Sequence, residues 1–220
     1  MKPNLKLVEA RGDDITFTFG RFNPPTVGHE KLIDATKQAA TREYRVYASK
    51  SQDPKKNPLD YEQKVQWMKR MFPKHKSKIV SGGNYRNALD VAVKLYDEGF
   101  FHLTMVVGSD RVKEFNTLLK KYNGVESKHG LYDFKTIKVK SAGERDPDAE
   151  GVAGMSASKM RKAAMDNDFK SFEQGLPLNF RDGERLFSDI KKKMPIKEFK
   201  EWDTDLEEAS IMTVLGKKLF

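Results

Sequence analysis

The spacing of apolar positions divides most of the chain into strands and helices. Ile15-Thr16-Phe17-Thr18-Phe19, a run of β-branched and aromatic residues, reads as a first strand. Glu30 to Ala40 reads as a helix with Leu32, Thr36 and Ala39 on one face. Tyr44-Arg45-Val46-Tyr47-Ala48 reads as a second strand. Asp60 stands where it caps the next helix, and Tyr61, Val65, Met68 and Phe72 form an inward stripe that Pro73 ends. Trp67 lies off that stripe and is assigned to packing. Ser77 to Ser81 reads as a short strand. From about Arg86 to Glu98 a helix turns Leu89, Ala92 and Leu95 inward and stops at Gly99. The most apolar run, His102-Leu103-Thr104-Met105-Val106-Val107, reads as a central buried strand. Phe134 to Val139 alternates, as a one-sided strand does. Strands alternating with helices give an α/β reading for residues 1–167. Beyond Asp168 the punctuation changes. Phe169 to Gln174, Glu184 to Lys193 and Ile196 to Trp202 read as short helices broken by Pro177, Gly183 and Pro195, so 168–220 is expected to be a C-terminal helical appendage.

Composition narrows the classes. A length of 220 residues suits one α/β domain with an appendage, or two small domains. With 38% hydrophobic and 33% charged residues the chain is polar but able to bury a core. The absence of cysteine rules out disulfides and thiolate-bound metals. The four histidines, His29, His75, His102 and His129, are far apart and form no ligand motif. The first residues lack an apolar signal core and no apolar run is long enough to span a bilayer, so a cytoplasmic location is expected. A net charge of +9 favours anionic partners: nucleotides, phosphorylated metabolites, nucleic acid or an acidic protein surface.

The candidate chemistry lies in two stretches. The first, Gly20-Arg21-Phe22-Asn23-Pro24-Pro25-Thr26-Val27-Gly28-His29, joins the first strand to the first helix. A strand, a glycine-bearing loop and a helix N-terminus present backbone N–H groups to a phosphate. Gly20 lets the chain turn as it leaves the sheet, and Gly28 removes a side chain where a ligand can approach. The second, Gly154-Met155-Ser156-Ala157-Ser158-Lys159-Met160-Arg161, opens a late helix. Ser156 suits an N-cap, and Arg161 lies one turn beyond Ser158, within reach of the same phosphate.

Thr26-Val27-Gly28-His29 resembles the first signature of the nucleotidyltransferase superfamily, H-x-G-H, and Met155 to Arg161 resembles its second, I-S-S-T-x-x-R. Gly20-Arg21-Phe22-Asn23-Pro24 is similar to the opening of nicotinamide mononucleotide adenylyltransferases. Thr26 in place of the first histidine is similar to phosphopantetheine adenylyltransferase. The Lys55-Lys56-Asn57-Pro58 loop is similar to nucleotidyltransferase-like proteins of large bacteriophages. The resemblance covers about Ile15 to Asp166 and implies a Rossmann-like, doubly wound parallel sheet. It also implies transfer of a nucleotidyl group, adenylyl from ATP first, to a phosphorylated acceptor, nicotinamide mononucleotide first, with release of pyrophosphate. Thr26, His29, Lys159 and Arg161 take the catalytic roles in that reading. Gly20, Arg21, Phe22, Asn23, Gly28, Ser156 and Ser158 bind the nucleotide, and Mg²⁺ arrives mainly on the triphosphate.

Further candidates lie in loops at strand carboxyl ends, which line the ligand crevice of an open α/β sheet. Lys50, Lys55 and Lys56 are candidates to hold a substrate phosphate, with solvated lysines of a mobile loop as the ordinary alternative. Gly108, Asp110 and Arg111 follow the central strand. Turns of this kind lie beside the nucleotide or acceptor in the resembled family, whereas Asp110 as a plain helix cap is the alternative. Ser141 to Gly154 is expected to be a flexible loop over the site entrance. A CTP donor with a phospho-alcohol acceptor, a homo-oligomeric assembly and nucleic-acid contact stay open. So does a rival from another class: a protein that keeps the fold for binding or assembly and has lost turnover.

Overall fold

The computed structural model describes residues 13–143 and 155–194. The expected entrance loop (over 144–154), the helix expected at 196–202 and the first residues lie outside that range.

Four parallel strands, β1 (Asp14–Gly20), β2 (Glu43–Ala48), β3 (His102–Val107) and β4 (Thr136–Ser141), form one sheet in the order β2-β1-β3-β4. The helices are α1 (Val27–Ala39), α2 (Tyr61–Met71), α3 (Ala88–Asp97), α4 (Val112–Lys121), α5 (Ala157–Met165), α6 (Phe169–Glu173) and α7 (Gly183–Lys193). Side-chain alternation along β1 sends its residues to two cores. Ile15 and Phe17 join Tyr47, Leu103 and Met105 under α3 and α4. Thr16 and Thr18, also buried, lie opposite Tyr44 and Val46, whose cluster holds Ile33 of α1 and the apolar faces of α2 and α5 to α7. Helices thus cover both faces of a parallel sheet, the Rossmann-like α/β arrangement expected.

Three boundaries differ from the pattern-based reading. α1 begins at Val27 and buries Ile33 and Thr36, while Leu32 and Ala39 are only half-buried. The Thr36 hydroxyl donates to the Leu32 carbonyl at 2.7 Å, so it is satisfied within the helix and can face the sheet. The expected strand over 77–81 is a single parallel bridge, Ile79 to Val46, because the 3₁₀ turn Pro73–His75 ties up the backbone just before it. β4 starts at Thr136 rather than Phe134. The Asn123 side chain takes the Phe134 N–H at 2.8 Å and gives a hydrogen bond to its carbonyl at 3.1 Å, replacing the ladder there.

Helices α6 and α7 share the core of α1 and α2. Phe172, Leu176, Leu186 and Ile190 lie in one cluster with Val65 and Met68. Trp67, buried as assigned, donates from Nε1 to Asp189 at 3.1 Å. Lys193 bonds Asp60, the cap of α2, at 2.7 Å.

Candidate active site

Strand order reverses between β1 and β3, so a crevice opens at their carboxyl ends. β1 delivers the first signature to that edge, β2 the loop from Ser49 to Leu59, and β3 the turn from Gly108 to Arg111.

The first signature is built around Phe22. A Cβ on Gly20 would meet the Phe22 ring at 3.0 Å, so glycine is what lets the ring fold back over the strand end. Phe22 stands at φ 47°, a costly left-handed conformation for a bulky residue. Burial of its ring and a 4.8 Å centroid contact with His29 offset that cost. The next peptide, Asn23-Pro24, is cis. Asn23 is buried and its side chain acts as a surrogate backbone. Nδ2 donates to the Leu59 carbonyl at 2.8 Å and Oδ1 accepts the Leu59 N–H at 3.0 Å. The Asn23 amide is therefore committed to joining the two loops. Arg21 is exposed beside them.

Thr26 is the N-cap of α1. Its N–H donates to His29 Nδ1 at 3.0 Å, and its hydroxyl lies 3.1 Å from the same nitrogen. A ring nitrogen that accepts a backbone N–H holds no proton, so neutral His29 carries its proton on Nε2. The pair is a capping box with histidine at its third position. Gly28 follows at the second helical position. One first-turn donor is already used, because the Val27 N–H bonds the Gly175 carbonyl at 2.9 Å. The helix N-terminus therefore offers fewer N–H groups than the sequence suggests.

The second signature folds as its residue types require. Ser156 caps α5 and its hydroxyl accepts the Lys159 N–H at 3.1 Å, while the Lys159 side chain is exposed. Ser158 accepts from Arg161 Nη2 at 3.1 Å. Arg161 Nη1 donates to the Asn23 carbonyl at 2.6 Å, across 138 residues of sequence. Burial first, and then the like charge of Arg21, lower the Arg161 pKa, against the pull of Asp53. An arginine stays charged under such a shift. Two guanidiniums in electrostatic reach of each other at a crevice attract a polyanion.

The loop after β2 is ordered by Asp53. Its carboxylate accepts the Lys55 N–H at 3.1 Å, the Lys56 N–H at 2.7 Å and the Asn57 Nδ2–H at 2.8 Å. These bonds, led by that from Lys56, lower the Asp53 pKa. Lys50, Lys55 and Lys56 are exposed along this ordered loop, and Asp53 places its tip within electrostatic reach of Arg161. At the end of β3, a Cβ on Gly108 would meet Asp110 Oδ1 at 2.8 Å. Arg111, not Asp110, is the N-cap of α4, so the plain-cap alternative for Asp110 is not realised. Arg111 itself is paired with Glu114 at 2.9 Å and lies over the Phe115 ring.

One residue near the site escaped the sequence reading. Lys64 of α2 is fully buried and donates from Nζ to the Ser49 carbonyl at 2.5 Å. Burial lowers its pKa from 10.5 to about 8, against the attraction of Asp60. The signal was a lysine three residues after Tyr61 and next to Val65, on the inward stripe itself.

Hydroxyl, imidazole, guanidinium and ammonium groups lie at two helix N-termini beside the switch point of a parallel sheet covered on both faces, the arrangement of a Rossmann-like α/β domain. The family model for cytidylyltransferase-like proteins matches residues 17–168, and the chain belongs to that family, a branch of the nucleotidyltransferase superfamily whose members act on nucleoside triphosphates. A search of curated proteins gives no match. Both signatures fall inside the matched range, whereas Gly175 and α7 lie beyond it. Among the described residues, no helix is long and apolar enough to cross a membrane.

Proposed function

We propose that the chain transfers an adenylyl group from ATP to a small phosphorylated acceptor, with nicotinamide mononucleotide the leading one, and releases pyrophosphate. The observation that supports this reading is the hydrogen bond from Arg161 to the Asn23 carbonyl, which brings the two signatures into contact. The acceptor phosphate already supplies a nucleophilic oxygen. Catalysis then rests on in-line placement of two anions and on stabilising charge that builds on the α-phosphate and the leaving group.

In this reading His29 donates from Nε2 to the reacting phosphate, with Thr26 fixing its ring. Arg161, Lys159, Ser156 and Ser158 hold the β- and γ-phosphates. Arg21 binds the nucleotide, Lys50, Lys55 and Lys56 draw a substrate phosphate, and Gly108, Asp110 and Arg111 border the nucleotide or the acceptor. Among the described residues no group of three or more His, Cys, Asp or Glu side chains gathers to hold a metal. In this reading Mg²⁺ comes with the triphosphate, where it would neutralise phosphate charge. The adenylyl and nicotinamide mononucleotide assignments rest on the likeness of Gly20-Arg21-Phe22-Asn23-Pro24.

A pyrophosphate-release screen tests the proposal, with ATP and CTP each offered with Mg²⁺ to nicotinamide mononucleotide, phosphopantetheine and phospho-alcohols. Release with ATP and nicotinamide mononucleotide is expected. Release only with CTP would replace the donor and keep the reaction class. No release with any pair would favour a binding or structural role.

A further inference from the structure

A parallel strand that leaves a sheet strands the backbone groups of its neighbour. β1 turns away at Gly20, and β2 ends opposite it at Ala48. The Ser49 N–H still finds the Gly20 carbonyl at 2.8 Å, and the next N–H, of Lys50, bonds the Tyr85 carbonyl at 2.9 Å. The Ser49 carbonyl has no strand left to donate to it. Lys64 supplies that donor from beneath, its ammonium fully buried and 2.5 Å away. Burying an ammonium to satisfy one carbonyl is an expensive solution, since a neutral donor would do the same at less desolvation cost. Asp60, the cap of α2, is the acidic group that acts on it, and Asp60 is itself shared with Lys193 of α7.

The position of the carbonyl gives the expense a purpose. The loop that starts at Ser49 carries Lys50, Lys55 and Lys56 and ends at Leu59, where Asn23 grips it. It is fixed to the first signature at both ends, by Ser49 on Gly20 and by Leu59 on Asn23. The bond from Lys64 to Ser49 and that from Lys50 to Tyr85 are parts of this frame that neither signature provides, and only the first is made by a side chain.

We infer that Lys64 is a positioning residue of the nucleotidyltransferase site: by holding the Ser49 carbonyl it sets the β2 loop against the Gly20 to His29 loop. This rests on the function proposed above. Lys64 touches no phosphate in this account. It acts through Ser49 and the loop, so its loss should fall on the rate of transfer rather than on nucleotide affinity. A reacting centre misplaced by about 1 Å typically costs on the order of a hundredfold in rate.

The test compares Lys64→Met, which keeps volume without donor or charge, with Lys64→Gln and Lys64→Arg, which keep a donor. Turnover is read by pyrophosphate release, affinity by calorimetry with ATP and with CTP in Mg²⁺, and folding by thermal unfolding. The expected result is a folded Lys64→Met protein whose kcat falls by about a hundredfold while its nucleotide Kd moves less than about fivefold, with partial recovery in Lys64→Arg. A Lys64→Met protein with kcat within about twofold of wild type would overturn the inference. So would a loss of unfolding temperature with unchanged turnover per folded molecule. Wild type that binds neither nucleotide would instead overturn the function on which the inference rests. A second measurement needs no variant. The Lys64 side-chain ¹⁵N resonance of wild type should titrate well below the ordinary lysine value, with slowed exchange of its Nζ protons. Titration near 10.5 with fast exchange would contradict the buried bond.

Discussion

Gly28 separates packing from ligand approach at a single atom. A Cβ built there meets only Thr26 Oγ1, at an ordinary 3.5 Å, so the protein itself does not require glycine at this place in α1. Gly28→Ala should therefore raise stability by up to about 1 kcal/mol through helix propensity. If phosphate approaches that backbone, the same methyl lowers turnover at least tenfold. Thermal unfolding and pyrophosphate release measure the two effects, and an unchanged rate would move the ligand away from Gly28. Lys64 makes the opposite point. Its folded pKa near 8, against 10.5, corresponds to a burial cost of about 3 kcal/mol at neutral pH. Between these values the unfolded chain holds a proton that the folded chain has lost, so stability rises with pH across that window. Above pH 10 the trend reverses. Burial pushes Tyr47, Tyr61 and Tyr132 up to about 12, so the unfolded chain loses those protons first. Urea unfolding at pH 7.5 and 9.5 should show wild type gaining about 2 kcal/mol relative to Lys64→Met; no relative gain would place Lys64 in solvent. The places of Gly28 and His29 in the first turn of α1 were legible in sequence, because a helix start is set by local residues. Lys64 was not, because a lysine on an apolar stripe means nothing until Ser49 is seen above it.

Elements are held here by side chains that imitate backbone. Asn23 bonds both polar groups of Leu59, Asn123 both those of Phe134, and Asn87 caps α3 through the N–H groups of Leu89 and Asp90. Such bonds need a partner that sequence spacing does not reveal, except in a local cap. The cap of α2 by Asp60 and the stop at Gly99 were therefore read correctly, while the start of β4 and the single bridge at Ile79 were not. His75 belongs to the same group. Buried, it lies 3.0 Å from both the Tyr44 hydroxyl and Asp34, and so ties β2 to α1 below the site. Asn23→Ala leaves the Leu59 N–H and carbonyl buried without partners, a loss of about 1–3 kcal/mol. Since the Asn23 amide also locks the two site loops together, turnover should drop further than the unfolded fraction accounts for. Circular dichroism melts alongside rate measurements check this, and an Asn23→Ala protein as stable as wild type would remove Asn23 from the frame.

At the scale of the molecule, the punctuation after Asp168 suggested an appendage, and we propose instead that 168–194 completes the core. The Gly175 carbonyl takes the first N–H of α1, and a Cβ on Gly175 would press on Met160 and Met155, so the turn after α6 is wedged against both signature helices. A chain ending at Asn167 should lose its cooperative melt, because it uncovers Val65 and Met68 and removes the bonds that Trp67 and Asp60 make to α7. A truncated protein with a sharp transition and bound nucleotide would restore the appendage. The fold class was legible because alternation of strands and helices is a whole-chain pattern. The meeting of residues 23 and 161 was foreshadowed only by likeness to a known pair of signatures. Its direct test is a double-mutant cycle on pyrophosphate release with His29→Ala and Arg161→Ala. If both act on one triphosphate, each single change costs on the order of a hundredfold, and the double variant loses far less than the product of the two. Losses that multiply, or a single variant within a few fold of wild type, would contradict the joining of the two signatures in one active site.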